Sequence, residues 1–202
     1  MFFNAHLREI NLKIVYYGPA LSGKTTNLEQ LYRRIPVRAR SEMVSVKTRE
    51  DRTIFFDFME LSLGKIKGLT PRFKLYTVPG QVYYAATRKL VLRGVDGIVF
   101  VADSQAGRLE DNVASMQDLW ENLQEMGYDP YGVPLVLQFN KRDLPDALPV
   151  SQLEKALNHR ACPTFEAIAI QGVGVSETLK GIISAVMQSV YERLRVVPTP
   201  TR

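Results

Sequence analysis

The residues best placed to do chemistry lie in the stretch Gly18-Pro-Ala-Leu-Ser-Gly-Lys24-Thr25. Their spacing fits G-x-x-x-x-G-K-[ST], a loop that cradles phosphate groups. Gly18 and Gly23 let the backbone curl, so that the N–H groups of the loop, Ala20, Leu21 and Ser22 included, can turn toward phosphate oxygens. Lys24 is placed to reach the β- and γ-phosphates, Thr25 to set its hydroxyl on Mg²⁺, and Thr26 to donate to the α-phosphate. A helix starting near Lys24 brings its positive dipole end to the same anion.

A second group is Asn140-Lys141-Arg142-Asp143, which directly follows an apolar run. It has the N-K-x-D form found where a base, not a phosphate, is read. A carboxylate at Asp143 can accept from guanine N1–H and the 2-amino group together. Adenine offers no such donor pair, so a carboxylate left unpaired discriminates against ATP by roughly 10⁴–10⁵-fold. Lys141 is expected to lay its stem along the base and to brace the phosphate loop. The ligands expected from the two groups are GTP and GDP with Mg²⁺.

These groups need elements that bring them together. Ile10-Asn-Leu-Lys-Ile-Val-Tyr-Tyr17 has the β-branched and aromatic content of a strand, and after the loop Leu28, Leu31 and Tyr32 fall on one helical face. Residues 36–50 are polar and Arg-rich without apolar periodicity, so a long loop is expected beside the phosphate site. Thr53 to Met59 and Arg72 to Val78 are predicted strands of an antiparallel hairpin turning near Gly64 and Gly68. Pro79-Gly80-Gln81 breaks the second of them, and a helix follows through Leu92.

Gly97 to Ala102 is a continuous apolar run ending in Asp103, the pattern of a buried parallel strand. Leu109 to Met126 is an amphipathic helix with Val113, Met116, Leu119, Trp120 and Leu123 on its core face. Val133 to Phe139 is the next strand. A helix over 150–157, a strand over 164–169 and a closing helix over 175–194 complete the pattern. Strands alternating with helices predict an α/β fold, a six-stranded, mostly parallel sheet with one antiparallel strand and helices on both faces. In such sheets ligands bind at the carboxyl ends of the strands. Gly18, the segment 77–81, Asp103, Asn140 and Ala169 all fall there. One domain over 1–194 is expected, with 195–202 a flexible tail.

Composition narrows the classes. Of 202 residues, 46% are hydrophobic and 23% charged, an ordinary globular balance. Cys162 is the lone cysteine, which excludes an intrachain disulfide and fits a reducing, cytoplasmic compartment. It reads as a half-buried small hydrophobe. With His6 and His159 the only histidines, no histidine-rich metal site exists. No apolar segment has the length of a membrane span, and no signal peptide is expected. The net charge of +5 collects around Arg33, Arg34, Arg38, Arg40, Lys47, Arg49 and Arg52, either a solvated loop or a surface for acidic partners or lipids. No nucleic-acid motif accompanies it, so no nucleic-acid partner is expected.

With both motifs in place, the chain resembles the Ras-like small GTPases over nearly its whole length. The stretch 166–174 lies in the frame of their third guanine element, where Ala169 keeps the backbone N–H that meets guanine O6. Ile168 and Ile170 depart from that element's usual Ser-Ala-Lys. The resemblance is closer to the MglA-type bacterial GTPases of cell polarity and gliding motility. It is carried by 13–19, 51–58, 75–83, 92–104 and 140–145, and by Thr77-Val-Pro-Gly80 where most small GTPases have Asp-x-x-Gly. What it implies is a slow GTPase cycling between GDP and GTP in the cytoplasm, recruited to a cell pole or membrane surface by partners. Those partners are a Roadblock/LC7-type activator (MglB-like) without an arginine finger, and downstream effectors.

The resemblance also implies roles for single residues. Gly80 helps bind the nucleotide, Gln81 orients the attacking water, Arg52 serves as a finger in cis, and Thr53 senses Mg²⁺ and the γ-phosphate. Thr77 cannot supply the carboxylate charge usual at its position, which leaves Asp57 or Asp103 to support the metal. Ala20 stands where the family carries glycine beside the γ-phosphate. A GTP-binding polarity scaffold with negligible hydrolysis is therefore the second reading. A kinase using ATP is disfavoured by Asp143.

Overall fold

The computed structural model describes residues 2–4, 9–46, 56–62, 64–65, 68, 70–81 and 84–196. Its strands are β1 (Phe2–Asn4), β2 (Glu9–Tyr17), β3 (Val44–Val46), β4 (Phe56–Ser62), β5 (Thr70–Thr77), β6 (Gly97–Asp103), β7 (Leu135–Asn140) and β8 (Thr164–Glu166). Its helices are α1 (Lys24–Arg34), α2 (Ala85–Leu92), α3 (Leu109–Glu125), α4 (Val150–Leu157) and α5 (Val175–Val196).

All strands join one sheet in the order β3-β4-β5-β2-β6-β7-β8, with β1 paired to β2. β2 lies parallel to β5 and β6, β6 to β7, and β7 to β8, while β4 is antiparallel to β5. The expected six strands are thus present, and the three-residue β1 and β3 extend the sheet to eight. β3 falls inside the stretch expected to be loop. It pairs antiparallel with β4 at the sheet edge, Ser45 facing Asp57 in register, and three residues are too few to show a period. β1 fills the part of β2 that β6 leaves open, since β6 pairs only from Ile14 onward.

Burial follows the layers. β6 and β7 are buried throughout, as their unbroken apolar runs require when helices cover both faces. β4 and β5 alternate between buried and half-exposed, one face covered and one not. One core joins Ile14, Tyr16, Leu75 and Val101 to Leu28 and Leu31 of α1 and Ile182 and Val186 of α5. The other joins Val15, Tyr17, Phe100 and Phe139 to Leu92 of α2, Leu119 of α3 and Leu153 of α4. β8 stops at Glu166, three residues short of expectation, because the chain turns there into a single 3-10 turn, Ala169–Gln171. α5 runs to Val196, two residues past the expected end of the domain. Among the described residues no helix is long and apolar enough to cross a membrane.

Candidate nucleotide site

The phosphate loop leaves β2 and enters α1. Gly18 has φ +136°, and a Cβ there would lie 2.2 Å from the Val101 carbonyl oxygen. Gly23, the residue before α1, has φ +102°, and a Cβ there would lie 2.2 Å from Asn140 Nδ2. Both glycines are therefore required by turn and by contact. Gly23 caps α1 without a side-chain acceptor, and the first turn of α1 carries no acid. Its free N–H groups are left for an anion. Leu21 and Lys141 are, with Ala161, the non-glycine residues of positive φ among those described. Two of the three thus fall in this site, where backbone strain tends to gather.

Lys24 is buried, its ammonium donating to the carbonyls of Gly18 at 2.9 Å and Pro19 at 2.6 Å. Burial first, then the charges of Arg88 and Arg108, push its pKa down to about 7. A cation held this way, short of acceptor charge, is suited to receive phosphate oxygens.

Beside it a cavity of about 340 Å³ is lined by Ala20, Lys24, Thr25, Asp57, Gly80 and Gln81, among others. Asp57 is buried and gathers hydroxyls. Thr25 Oγ1 donates to Oδ2 at 2.6 Å, Thr77 Oγ1 to the same oxygen at 3.0 Å, and Ser45 Oγ to Oδ1 at 2.7 Å. The Asp57 N–H returns a bond to Thr77 Oγ1 at 2.8 Å. Thr77 thus lends its hydroxyl to a carboxylate across the hairpin. Asp103 stands elsewhere, its Oδ2 2.5 Å from Lys141 Nζ and 3.9 Å from Arg108 Nε. A hydroxyl and a carboxylate touching at the cavity wall form a hard-oxygen pair that suits Mg²⁺, which takes one or two such ligands beside waters and phosphate.

A second cavity of about 320 Å³ is lined by Leu21, Gly23, Thr26, Asn140, Lys141, Asp143, Leu144, Ala169 and Ile170. Asn140 joins its walls. Its Nδ2 donates to Ser22 O in the phosphate loop at 2.8 Å, and its Oδ1 accepts the Ala169 N–H at 2.8 Å. Lys141 does not brace the phosphate loop as expected. Its ammonium is held by Asp103 and by Gln105 Oε1 at 3.4 Å, and Asn140 does the bracing. Asp143 is exposed at the cavity rim, open to a donor pair.

Below both cavities lies a buried polar pin. Asn27 and Gln138 exchange amide hydrogen bonds at 2.7 and 2.9 Å, and Gln138 also donates to Thr178 at 2.9 Å. It locks α1, β7 and α5 in one register beneath the loop.

Comparison with known proteins gives the family. The model of the ADP-ribosylation factor family matches residues 1–186. The mutual gliding-motility protein MglA of Myxococcus xanthus is 55% identical over 186 residues, covering 92% of this chain and 95% of that protein. Human ADP-ribosylation factor-like protein 4C is 31% identical, with 88% of each chain covered. ADP-ribosylation factor-like protein 6 of Caenorhabditis briggsae is 26% identical over 95% of this chain.

The chain belongs to the ADP-ribosylation factor family.

It is a small GTPase, similar to MglA and Ras-like in fold. Within that frame Gln81 is exposed and lines the same cavity as Lys24 and Thr25. Gly80 lies so near the phosphate loop that a Cβ on it would stand 2.3 Å from Ala20 N. Arg52 and Thr53 fall outside the described residues. Two arginines absent from the sequence reading reach the site. Arg88 donates to the Gln81 carbonyl at 2.6 Å while gripping Asp118 at 2.7 and 3.1 Å, and Arg108 donates to the Ala20 carbonyl at 2.8 Å. No local motif marks them, since the contact between Arg108 and Ala20 spans 88 positions.

Proposed function

We propose that this chain is a switch that cycles between GDP and GTP forms, hydrolyses GTP slowly, and recruits effectors in cell polarity or motility. The single observation that carries the reading is Asn140, which ties Ser22 of the phosphate loop to the Ala169 N–H beside the Asp143 rim. That arrangement suits a guanine read at O6 by Ala169 and at N1 and N2 by Asp143, with its phosphates led to Lys24.

Thr25 would ligate Mg²⁺, with Asp57 oriented by Thr77 and Ser45 to hold the metal shell, the part that a second-switch aspartate plays elsewhere. Bound there, Mg²⁺ would neutralise charge building on the transferred phosphoryl group. Gln81 orients the attacking water, and Arg52 acts on the γ-phosphate as a finger in cis. Gly18, Ala20, Leu21, Ser22, Gly23, Thr26 and Gly80 supply the rest of the cradle.

A Roadblock/LC7-type activator without an arginine finger fits this scheme, since the arginine is then supplied in cis. Similarity to a gliding-motility protein supports a part in motility, and we place the chain in the cytoplasm with recruitment to a pole by partners.

A scaffold with negligible hydrolysis is the second reading, favoured by Ala20. Ala20 lines the same cavity as Gln81, and its backbone stands close to Gly80. GTP turnover by the purified protein with and without a Roadblock-type partner separates them. Slow turnover that the partner accelerates supports the switch, whereas tight GTP binding without turnover in either case supports the scaffold. Asp143→Asn tests the base assignment and should shift preference from guanine to xanthine nucleotides.

A further inference from the structure

We infer that Arg34 is a positioning residue for guanine selection, a role it takes with Gln30. The inference rests on the guanine assignment above.

The loop that presents the Ala169 N–H closes through its own backbone, Gln171 N–H donating to Ile168 O at 3.0 Å and Gly172 N–H to Ala169 O at 2.9 Å. Ile168 meets Val173 in an isolated antiparallel bridge, through bonds of 3.1 and 3.2 Å, and Ile168 and Ile170 bring no side-chain donor or acceptor. Ile170 is 73% exposed. The loop's outward carbonyls are instead met by α1. Arg34 Nη1 donates to Gly172 O at 2.5 Å, Arg34 Nη2 to Gln171 O at 3.0 Å, and Gln30 Nε2 to Ile170 O at 2.9 Å.

Three successive carbonyls are thus held by two side chains one helical turn apart, on the helix whose first turn faces the phosphates. The guanidinium lies close against Gly172. A Cβ there would stand 2.1 Å from Nη2 and 2.4 Å from Cζ, and φ is +73°, so glycine is required for both reasons. A planar fork meeting two adjacent carbonyls is a task for arginine that a lysine point charge cannot reproduce. The consequence is mechanical. The helix that grips the phosphates and the loop that meets guanine O6 are fixed to each other, so Arg34 and Gln30 set the distance between phosphate and base sites together with Asn140.

The plain alternative is that Arg34, the last residue of α1, merely complements the helix dipole. The experiment compares native protein with Arg34→Ala, Arg34→Lys and Gln30→Ala, measuring affinity for GDP, ADP and inorganic tripolyphosphate, and the thermal midpoint. Positioning predicts that Arg34→Ala loses about tenfold in GDP affinity, with faster release, while tripolyphosphate affinity is unchanged. Arg34→Lys, which keeps the charge and loses the fork, should show most of the same loss, and Gln30→Ala a smaller one. Full recovery by Arg34→Lys, or equal losses for GDP and tripolyphosphate, would overturn the inference in favour of a helix-end or general folding role. Should Arg34→Ala not fold, Arg34→Lys and Gln30→Ala decide alone, and native GDP affinity in both overturns the inference. If native protein does not prefer GDP to ADP, the guanine assignment falls, and this inference with it. If it does, and the variants match it, only Arg34's role is refuted.

Discussion

Asp57 and Asp103 are both buried carboxylates at strand ends, yet their neighbours separate their work. Among the described residues Asp57 receives hydroxyl donors from Thr25, Ser45 and Thr77, groups that can yield to a metal. Asp103 is spent on the Lys141 ammonium. Asp57→Ala should therefore speed GDP release about 10–100-fold in Mg²⁺, the usual cost of losing an outer-shell partner. It should matter little once the metal is chelated, and fluorescent-GDP release with and without chelator checks this. Asp103→Ala should act alike in both conditions; the reverse pattern would reassign the metal to Asp103.

Lys24 offers a pH test at the same scale. Its folded pKa of about 7 lies below the ordinary 10.5, so the unfolded chain binds more protons between these values and the stability of the empty protein rises with pH across that window. The benefit is full above 10.5 and is lost as pH falls to about 7. Phosphates restore the charge, so GDP binding near pH 8.5 should take up a proton. Calorimetry in buffers of different ionisation enthalpy should detect it, and Lys24→Met should abolish it.

At the scale of elements, the crowded contact is between the segment after β5 and the turn after β2. A side chain at Gly80 meets backbone atoms, Ala20 N at 2.3 Å and Cα at 2.5 Å, which cannot step aside. Gly80→Ala should displace Gln81 and cut single-turnover hydrolysis by about 10²-fold, a typical cost of misplacing a catalytic group by about 1 Å. GDP affinity should stay within a few-fold, because Asn140, Asp143 and Lys24 are untouched. Ala20→Gly keeps those backbone atoms but removes a methyl from a residue lining the same cavity as Gln81, and should raise the rate. A glycine variant no faster than native, with or without the partner, refutes the steric account.

For the whole molecule, the site depends on a sheet that is rigid because both its faces are filled. Phe139 is fully buried in the α2-α3-α4 core, one residue before Asn140. Phe139→Ala should cost about 3–5 kcal/mol, the usual penalty for an aromatic cavity, read as a lower urea midpoint. Since its loss also loosens the strand end carrying Asn140, bound GDP should recover part of the stability by mass action.

Most of the sheet was legible in the chain because local pattern and layer agree. β6 and β7 read as apolar runs since both their faces are covered, β5 alternates since one is not, and α4 falls at its predicted bounds. β1 and β3 were not legible. Three-residue strands have no period and exist only because a neighbouring edge offers unpaired N–H and C=O groups. The site divides the same way. Glycines and lysine at fixed spacing, and an acidic residue after an apolar strand, carry their chemistry in residue type and order, so Gly18, Gly23, Lys24, Thr25, Asn140 and Asp143 could be named from the chain alone. Which carboxylate stands by Thr25, that Lys141 turns to Asp103, and that Arg88, Arg108 and Arg34 hold three separate loops by their carbonyls were decided by folding. A carbonyl acceptor is the same in every residue, so nothing in the chain marks which one a distant arginine will meet; only the packed layers bring the two within reach.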